Sequence, residues 1–271
     1  MRRKDTRLKR ILVATPTLAI LALALAAASA TAGNRQGSAG EVTYRVAGDT
    51  LTNNRVRAAD ARLWQRFVQI IPPEQRSDLR RFTVFRSRFT DGFVGPLPRR
   101  TDLWQLGLRR ALVNEPELDE VIVHEFGHLL TLTSDQVPPH TRPRSRRPKC
   151  TTFNTGEGCA LPESYIALYV QEFWRNTGTL KAWKRVDRIQ NQRRYDIAVR
   201  RFFRQHRGQF VTRYASTNPG EDIAESWTSF VLDDLPTRGV IAAEKHRFFE
   251  RFPELVELRA RILENLANAP A

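Results

Sequence analysis

Ten residues, Val121-Ile122-Val123-His124-Glu125-Phe126-Gly127-His128-Leu129-Leu130, restrict what this chain can become more than any other stretch. They hold an H-E-x-x-H pattern in apolar surroundings. In a helix of 3.6 residues per turn, His124 and His128 stand one turn apart on the same face, so both imidazoles can reach one metal ion with Glu125 beside them. A zinc ion held this way needs a third protein ligand and a free position for water. Glu125 is then placed to take that water's proton while a peptide carbonyl is polarised. The same letters also occur in amphipathic helices that merely carry two half-exposed histidines. Here Leu118, Val121, Ile122, Leu129 and Leu132 supply a buried stripe, and Asn114 and Glu117 have capping-box spacing. Two of only five histidines fall in this register, which favours the metal.

The start of the chain has a different character. Residues 2–10 carry six cations and one acid, an apolar run follows from Ile11 to about Ala28, and Ala28-Ser29-Ala30 and Ala30-Thr31-Ala32 both have the A-x-A form. That order predicts a secretory signal peptide over 1–32 and an exported protein, secreted or held in the cell envelope. The rival is an uncleaved anchor, because the run approaches bilayer-spanning length. Residues 33–40 read as a flexible lead-in. The net charge is +15, and residues 2–10 supply +5 of it, leaving +10 on the rest. Such a surface suits an anionic envelope polymer or a membrane surface. With no zinc-finger, RNP or P-loop signature beside the charge, no nucleic-acid partner is expected.

Cys150 and Cys159 flank eight residues rich in turn formers. In an exported chain they predict a disulfide closing a basic loop over 138–161. The alternative, a pair of zinc thiolates, lacks a further cysteine or a histidine close in sequence.

Upstream of the H-E-x-x-H helix, Val42, Tyr44 and Val46, then Phe82 and Val84, then Phe93-Val94, then Trp104, Leu106 and Leu108 predict a small sheet. Its edge could hold an extended peptide by strand addition. A helix over Ala58–Ile71 ends at Pro72-Pro73. Downstream, Tyr165 to Trp174 gives an apolar helical face, a basic helix is expected from about Leu180 to Gln205, and Leu255, Leu258, Ile262 and Leu266 mark a last amphipathic helix.

The third ligand must come from elsewhere. The position six residues past His128 is Ser134, His140 lies in a proline-rich loop, and His206 and His246 stand alone, without an acid placed to support a ligand. The better source is Tyr214 to Glu225. Asn218 can cap a helix with Pro219 at its start, and Glu221 and Glu225 lie one turn apart on one face. A carboxylate from that helix completes a His₂Glu set of the kind hydrolytic zinc enzymes use.

His124-Glu125-x-x-His128 followed by Asn218-x-x-Glu221-x-x-x-Glu225 resembles the gluzincin clan of zinc metallopeptidases. The stretch from Tyr214 to Glu225 is similar to the third-ligand segment of lethal-factor-like gluzincins and of small secreted bacterial metallopeptidases. The resemblance implies that His124, His128 and Glu221 ligate zinc and that Glu125 is the catalytic base. It also implies that Tyr214 steadies the oxyanion and that Glu225, where thermolysin-type members carry Asp, orients a ligand. The expected fold is α+β and mainly helical, a zincin-like catalytic domain over 41–271 with a small sheet before the H-E-x-x-H helix. The expected function is that of a secreted zinc-dependent metallopeptidase acting on a peptide or protein substrate through a zinc-activated water. Its alternative is an exported zinc-containing module, without turnover, that recognises an anionic envelope partner through its basic surface.

Overall fold

Strands form where β-branched and aromatic residues alternate with polar ones. The computed structural model, which describes residues 41–52, 55–98, 100–140, 149–233 and 240–269, has five of them before the H-E-x-x-H helix. β1 (Val42–Ala47), β2 (Thr50–Thr52), β3 (Leu79–Phe85), β4 (Gly92–Leu97) and β5 (Arg100–Arg109) form one sheet of order β2-β1-β3-β5-β4. β3 and β5 run parallel, and the other neighbours are antiparallel. The edges are therefore β2, which the alternation had not suggested, and β4. Pro96 lies in β4, as an edge strand allows, because proline has no N–H to give to a ladder.

α1 (Ala58–Ile70) lies between β2 and β3 in the chain and buries Leu63, Trp64, Phe67 and Ile70. They join Tyr44, Phe82, Trp104, Leu106 and Leu108 of the sheet in the core. Each such side chain, fully removed from water, stabilises the fold by roughly 1.5–3 kcal/mol. Two ion pairs fix where the next helix begins. Asp60 of α1 is fully buried and takes hydrogen bonds from Tyr44 (2.8 Å) and Arg110 (3.0 Å). Arg66 makes a two-pronged contact with Asp119 at 2.7 and 2.6 Å.

α2 (Leu118–Leu132) carries the H-E-x-x-H motif. The capping box expected of Asn114 and Glu117 is not formed. Asn114 ends a 3-10 turn, Glu115 is held by Arg109, Pro116 has no N–H, and the helix starts after Glu117 without a side-chain cap.

α3 (Tyr165–Val170) runs into a π-helical turn over Gln171–Arg175 and stops at Gly178. The single basic helix expected over Leu180–Gln205 is two helices, α4 (Thr179–Asp187) and α5 (Gln192–Gln205). The break comes from Asn191, whose side chain accepts from the Arg194 N–H at 3.0 Å and so starts a new helix. Ile197, on α5, is exposed. α6 (Pro219–Leu232), α7 (Val240–Glu250) and α8 (Pro253–Asn268) complete the α+β fold. Phe230, Phe248, Phe249 and Trp227 pack ring on ring between them.

No described helix is long and apolar enough to cross a membrane. The expected signal peptide, the lead-in at 33–40 and residues 141–148 of the basic loop lie outside the described residues. The disulfide is formed: Cys150 and Cys159 are bonded, with Cα atoms 5.3 Å apart.

Candidate metal centre

The centre is made where α2 crosses α6. Gly127, the second variable residue of the motif, makes the close approach possible. A Cβ there would lie 3.1 Å from both the Ala224 Cα and the Trp227 ring. With that clearance, one turn of α2 faces the first two turns of α6. His124 and His128 come from one side, with ring centroids 4.9 Å apart and planes at 83°. Glu221 comes from the other. The Asn218 side chain accepts from the Glu221 N–H at 3.0 Å, capping α6, and Pro219 occupies the first turn, where its missing N–H costs nothing.

The three donors converge. Glu221 Oε2 is 3.2 Å from His124 Nε2 and 3.2 Å from His128 Nε2. Tetrahedral ligands at about 2.0–2.2 Å from a zinc ion stand about 3.3–3.6 Å apart, so the set fits such an ion after small adjustments. The three side chains keep 11%, 13% and 17% of their exposure, so none is wholly sealed from solvent.

Glu225, one turn beyond Glu221, places Oε1 2.7 Å from His124 Nδ1. A carboxylate there favours the tautomer that presents Nε2 to a metal. Its other oxygen accepts from the Thr212 hydroxyl, and Thr212 Oγ1 also accepts from the Ala215 N–H at 3.0 Å. Thr212, in the loop before Tyr214, has no sequence signal of its own.

Burial would lower the His124 pKa. Hydrogen bonds and negative charge from Glu221 and Glu225 outweigh it, and hold the imidazolium well above the usual histidine range. Glu221 is depressed despite its burial, because the His128 and His124 charges face it.

Glu125 is not among the converging donors. Its carboxylate lies against the main chain of β4, where a Cβ on Gly92 would fall 2.4 Å from Oε1. Burial pushes its carboxyl up to about 7; His124 and His128 oppose the rise, whereas Glu221 and Asp91 add to it. Its Oε2 is buried without a hydrogen-bond partner. The Tyr214 ring centroid is 5.8 Å from that of His124. Burial raises the phenol far above its ordinary value, as do the nearby Glu221 and Glu125 carboxylates.

Behind α6 lies a buried charged pair that the sequence reading missed. Asp222 Oδ2 is 2.6 Å from Lys245 Nζ and 2.7 Å from Trp174 Nε1, and the Tyr169 hydroxyl donates to the Asp222 carbonyl at 3.2 Å. The Lys245 ammonium also donates to the Gln209 carbonyl at 2.5 Å and sits 4.5 Å from the Phe210 ring centre. Burial pushes the Asp222 carboxyl up and the Lys245 ammonium down, and their mutual attraction opposes both shifts. Asp222 follows Glu221 directly, so this pair fixes the turn of α6 from which Glu221 projects.

His206 and His246 stand apart from the centre; His246 is buried, edge-on to Phe230. His140 is the surprise. It lies beside Cys150 and Cys159, and its imidazole and the two sulfurs lie within 4.8 Å of one another. No family model matches the chain, and neither a curated protein nor a solved structure matches it.

Proposed function

We propose that this protein is an exported zinc-dependent metallopeptidase with a zincin-like, gluzincin-type catalytic domain. One observation carries the reading: the single oxygen Glu221 Oε2 stands 3.2 Å from two imidazole nitrogens that point the same way. His124, His128 and Glu221 would hold the ion. Bound zinc supplies Lewis acidity toward a water and a peptide carbonyl.

The remaining steps belong to side chains and backbone. A peptide adds along the outer edge of β4, antiparallel to the strand, with main-chain hydrogen bonds giving affinity. β4 passes directly over Glu125 at Gly92, which brings a peptide lying on that edge to the carboxylate. Glu125, with a carboxyl pushed up to about 7 in the metal-free chain, accepts the water's proton and passes it to the departing amine. The Tyr214 hydroxyl donates to the carbonyl oxygen as negative charge gathers on it. Glu225 keeps the His124 ring oriented.

The test pairs metal content with turnover. Glu125→Gln should bind zinc at the wild-type ratio while hydrolysis of a broad peptide library falls by roughly 10²–10⁴-fold. Wild-type turnover in that variant would remove Glu125 from the mechanism.

A second reading has its own observation. The α4–α5 segment, residues 179–205, carries nine cations against two acids. A zinc-containing binding module for an anionic envelope partner would use that surface and show no chelator-sensitive hydrolysis of the same library. It would instead show binding to anionic polymers that weakens as salt rises.

A further inference from the structure

We infer that His140, Cys150 and Cys159 form a second metal site, of the thiolate–imidazole type, which is masked while the disulfide is intact and opens when it is reduced. The inference is independent of the His124–His128–Glu221 centre. The three donor groups already lie within 4.8 Å of one another. In a zinc or cobalt site, thiolates at about 2.3 Å and imidazole at about 2.0–2.1 Å from the ion stand roughly 3.5–3.8 Å apart, so small side-chain rotations suffice.

What brings the donors together is not the sulfur bond alone. Pro139 pairs with Gly158 in an antiparallel bridge, and the His140 N–H donates to the Glu157 carbonyl at 3.1 Å. Gly158 packs so closely on the other segment that a Cβ there would sit 2.1 Å from the Pro138 carbonyl oxygen. Asn154 bridges to Cys159, and the Ala160 N–H donates to the Phe153 carbonyl at 2.9 Å. The Leu161 N–H donates to the Gln136 carbonyl at 2.9 Å, tying the end of the loop back to the segment that follows α2. Main-chain contacts that do not involve the sulfur atoms therefore hold the His140 segment against the Cys159 segment.

The chemistry balances with a named reductant. A trialkylphosphine takes oxygen from water and becomes the phosphine oxide, the disulfide gains two electrons, and the two protons of the water go to Cys150 and Cys159. A divalent ion then displaces both thiol protons and takes the neutral His140 imidazole as its third protein ligand, leaving a position for water.

The experiment uses cobalt(II) with the full chain, oxidised and phosphine-reduced, because thiolate-to-cobalt charge transfer gives a near-ultraviolet band that the sulfur-free His124–His128–Glu221 centre cannot give. Reduced protein should show the band and bind one cobalt more per chain than oxidised protein. His140→Ala should weaken that binding at least tenfold, and Cys159→Ser should abolish the band. Failure of the proposed catalytic centre would lower total cobalt without touching the band, so the two ideas fail separately. Slower alkylation of both cysteines by iodoacetamide when zinc is present, lost in His140→Ala, gives a second readout. The proposal is overturned if the reduced chain shows no band, if His140→Ala leaves the affinity unchanged, or if reduction alone abolishes the near-ultraviolet circular dichroism of the fold.

Discussion

Two residues at the centre set its proton chemistry. In the metal-free chain His124 is held protonated by Glu221 and Glu225, well above the usual histidine range in spite of its burial. The stabilisation from that pairing is complete below the unfolded histidine value of about 6.5 and disappears as pH rises through the raised folded value. A metal needs His124 neutral, so binding must expel that proton. Calorimetry in buffers of different ionisation enthalpy should find about one proton released per zinc at pH 7 from His124. A further fraction comes from Glu125, whose pKa of about 7 falls once a cation stands beside it. Affinity should accordingly drop as pH is lowered; release of no protons would contradict the assigned ligand. Gly92 contributes by having no side chain. Gly92→Ala puts a methyl 2.4 Å from Glu125 Oε1, so peptide hydrolysis should fall at least tenfold while zinc content stays unchanged. Steady-state rates and metal analysis on the same sample check both halves of that statement.

Each helix of the centre was legible in the sequence to the extent that its signal was local. The three-and-four spacing in α2 fixes which face carries His124 and His128, and Asn218-Pro219 followed by two acids marks the start of α6; both signals lie within a few residues. Contacts made between distant segments leave no such trace. Glu125 against Gly92, Thr212 on Glu225, and His140 beside the cysteines depend on how strands and loops are brought together. The capping box failed for a related reason, since Arg109 takes Glu115 into an ion pair and displaces the start of α2. The Asp222–Lys245 pair shows the same limit. Neither residue stands out in sequence, yet both are almost fully excluded from solvent. Lys245→Met should leave a buried carboxylate uncompensated and destabilise the fold by about 3–5 kcal/mol in urea denaturation. The double change Asp222→Asn with Lys245→Met should recover most of that loss. Equal destabilisation by the single and double variants would mean that the pair acts through packing rather than charge.

Across the whole molecule, the centre links two parts of the chain that are far apart in sequence. α2 follows the sheet, with Ile122, Val123 and Phe126 in one core with β3 and β5, and α6 joins that core through Trp227 and Phe230, which also pack on Phe249 of α7. His128 and Glu221 are 93 positions apart, so the donor set exists only when both halves are folded and docked. An ion held there binds the native state and not the unfolded chain, and its binding energy adds to folding. With free zinc at about a thousand times its dissociation constant, the gain is about 4 kcal/mol. For a domain of this size that corresponds to roughly 8–16 °C in melting temperature. Differential scanning calorimetry with zinc and with chelator should show a shift of that order in the wild type. Glu125→Gln should keep the shift, because Glu125 lies beside the donors without being one of them. Glu221→Ala should lose most of it, because two histidines on one helix then bind without engaging α6. A shift that persists undiminished in Glu221→Ala would mean that the ion does not join the two helices, and the assignment of Glu221 as third ligand would fall with it.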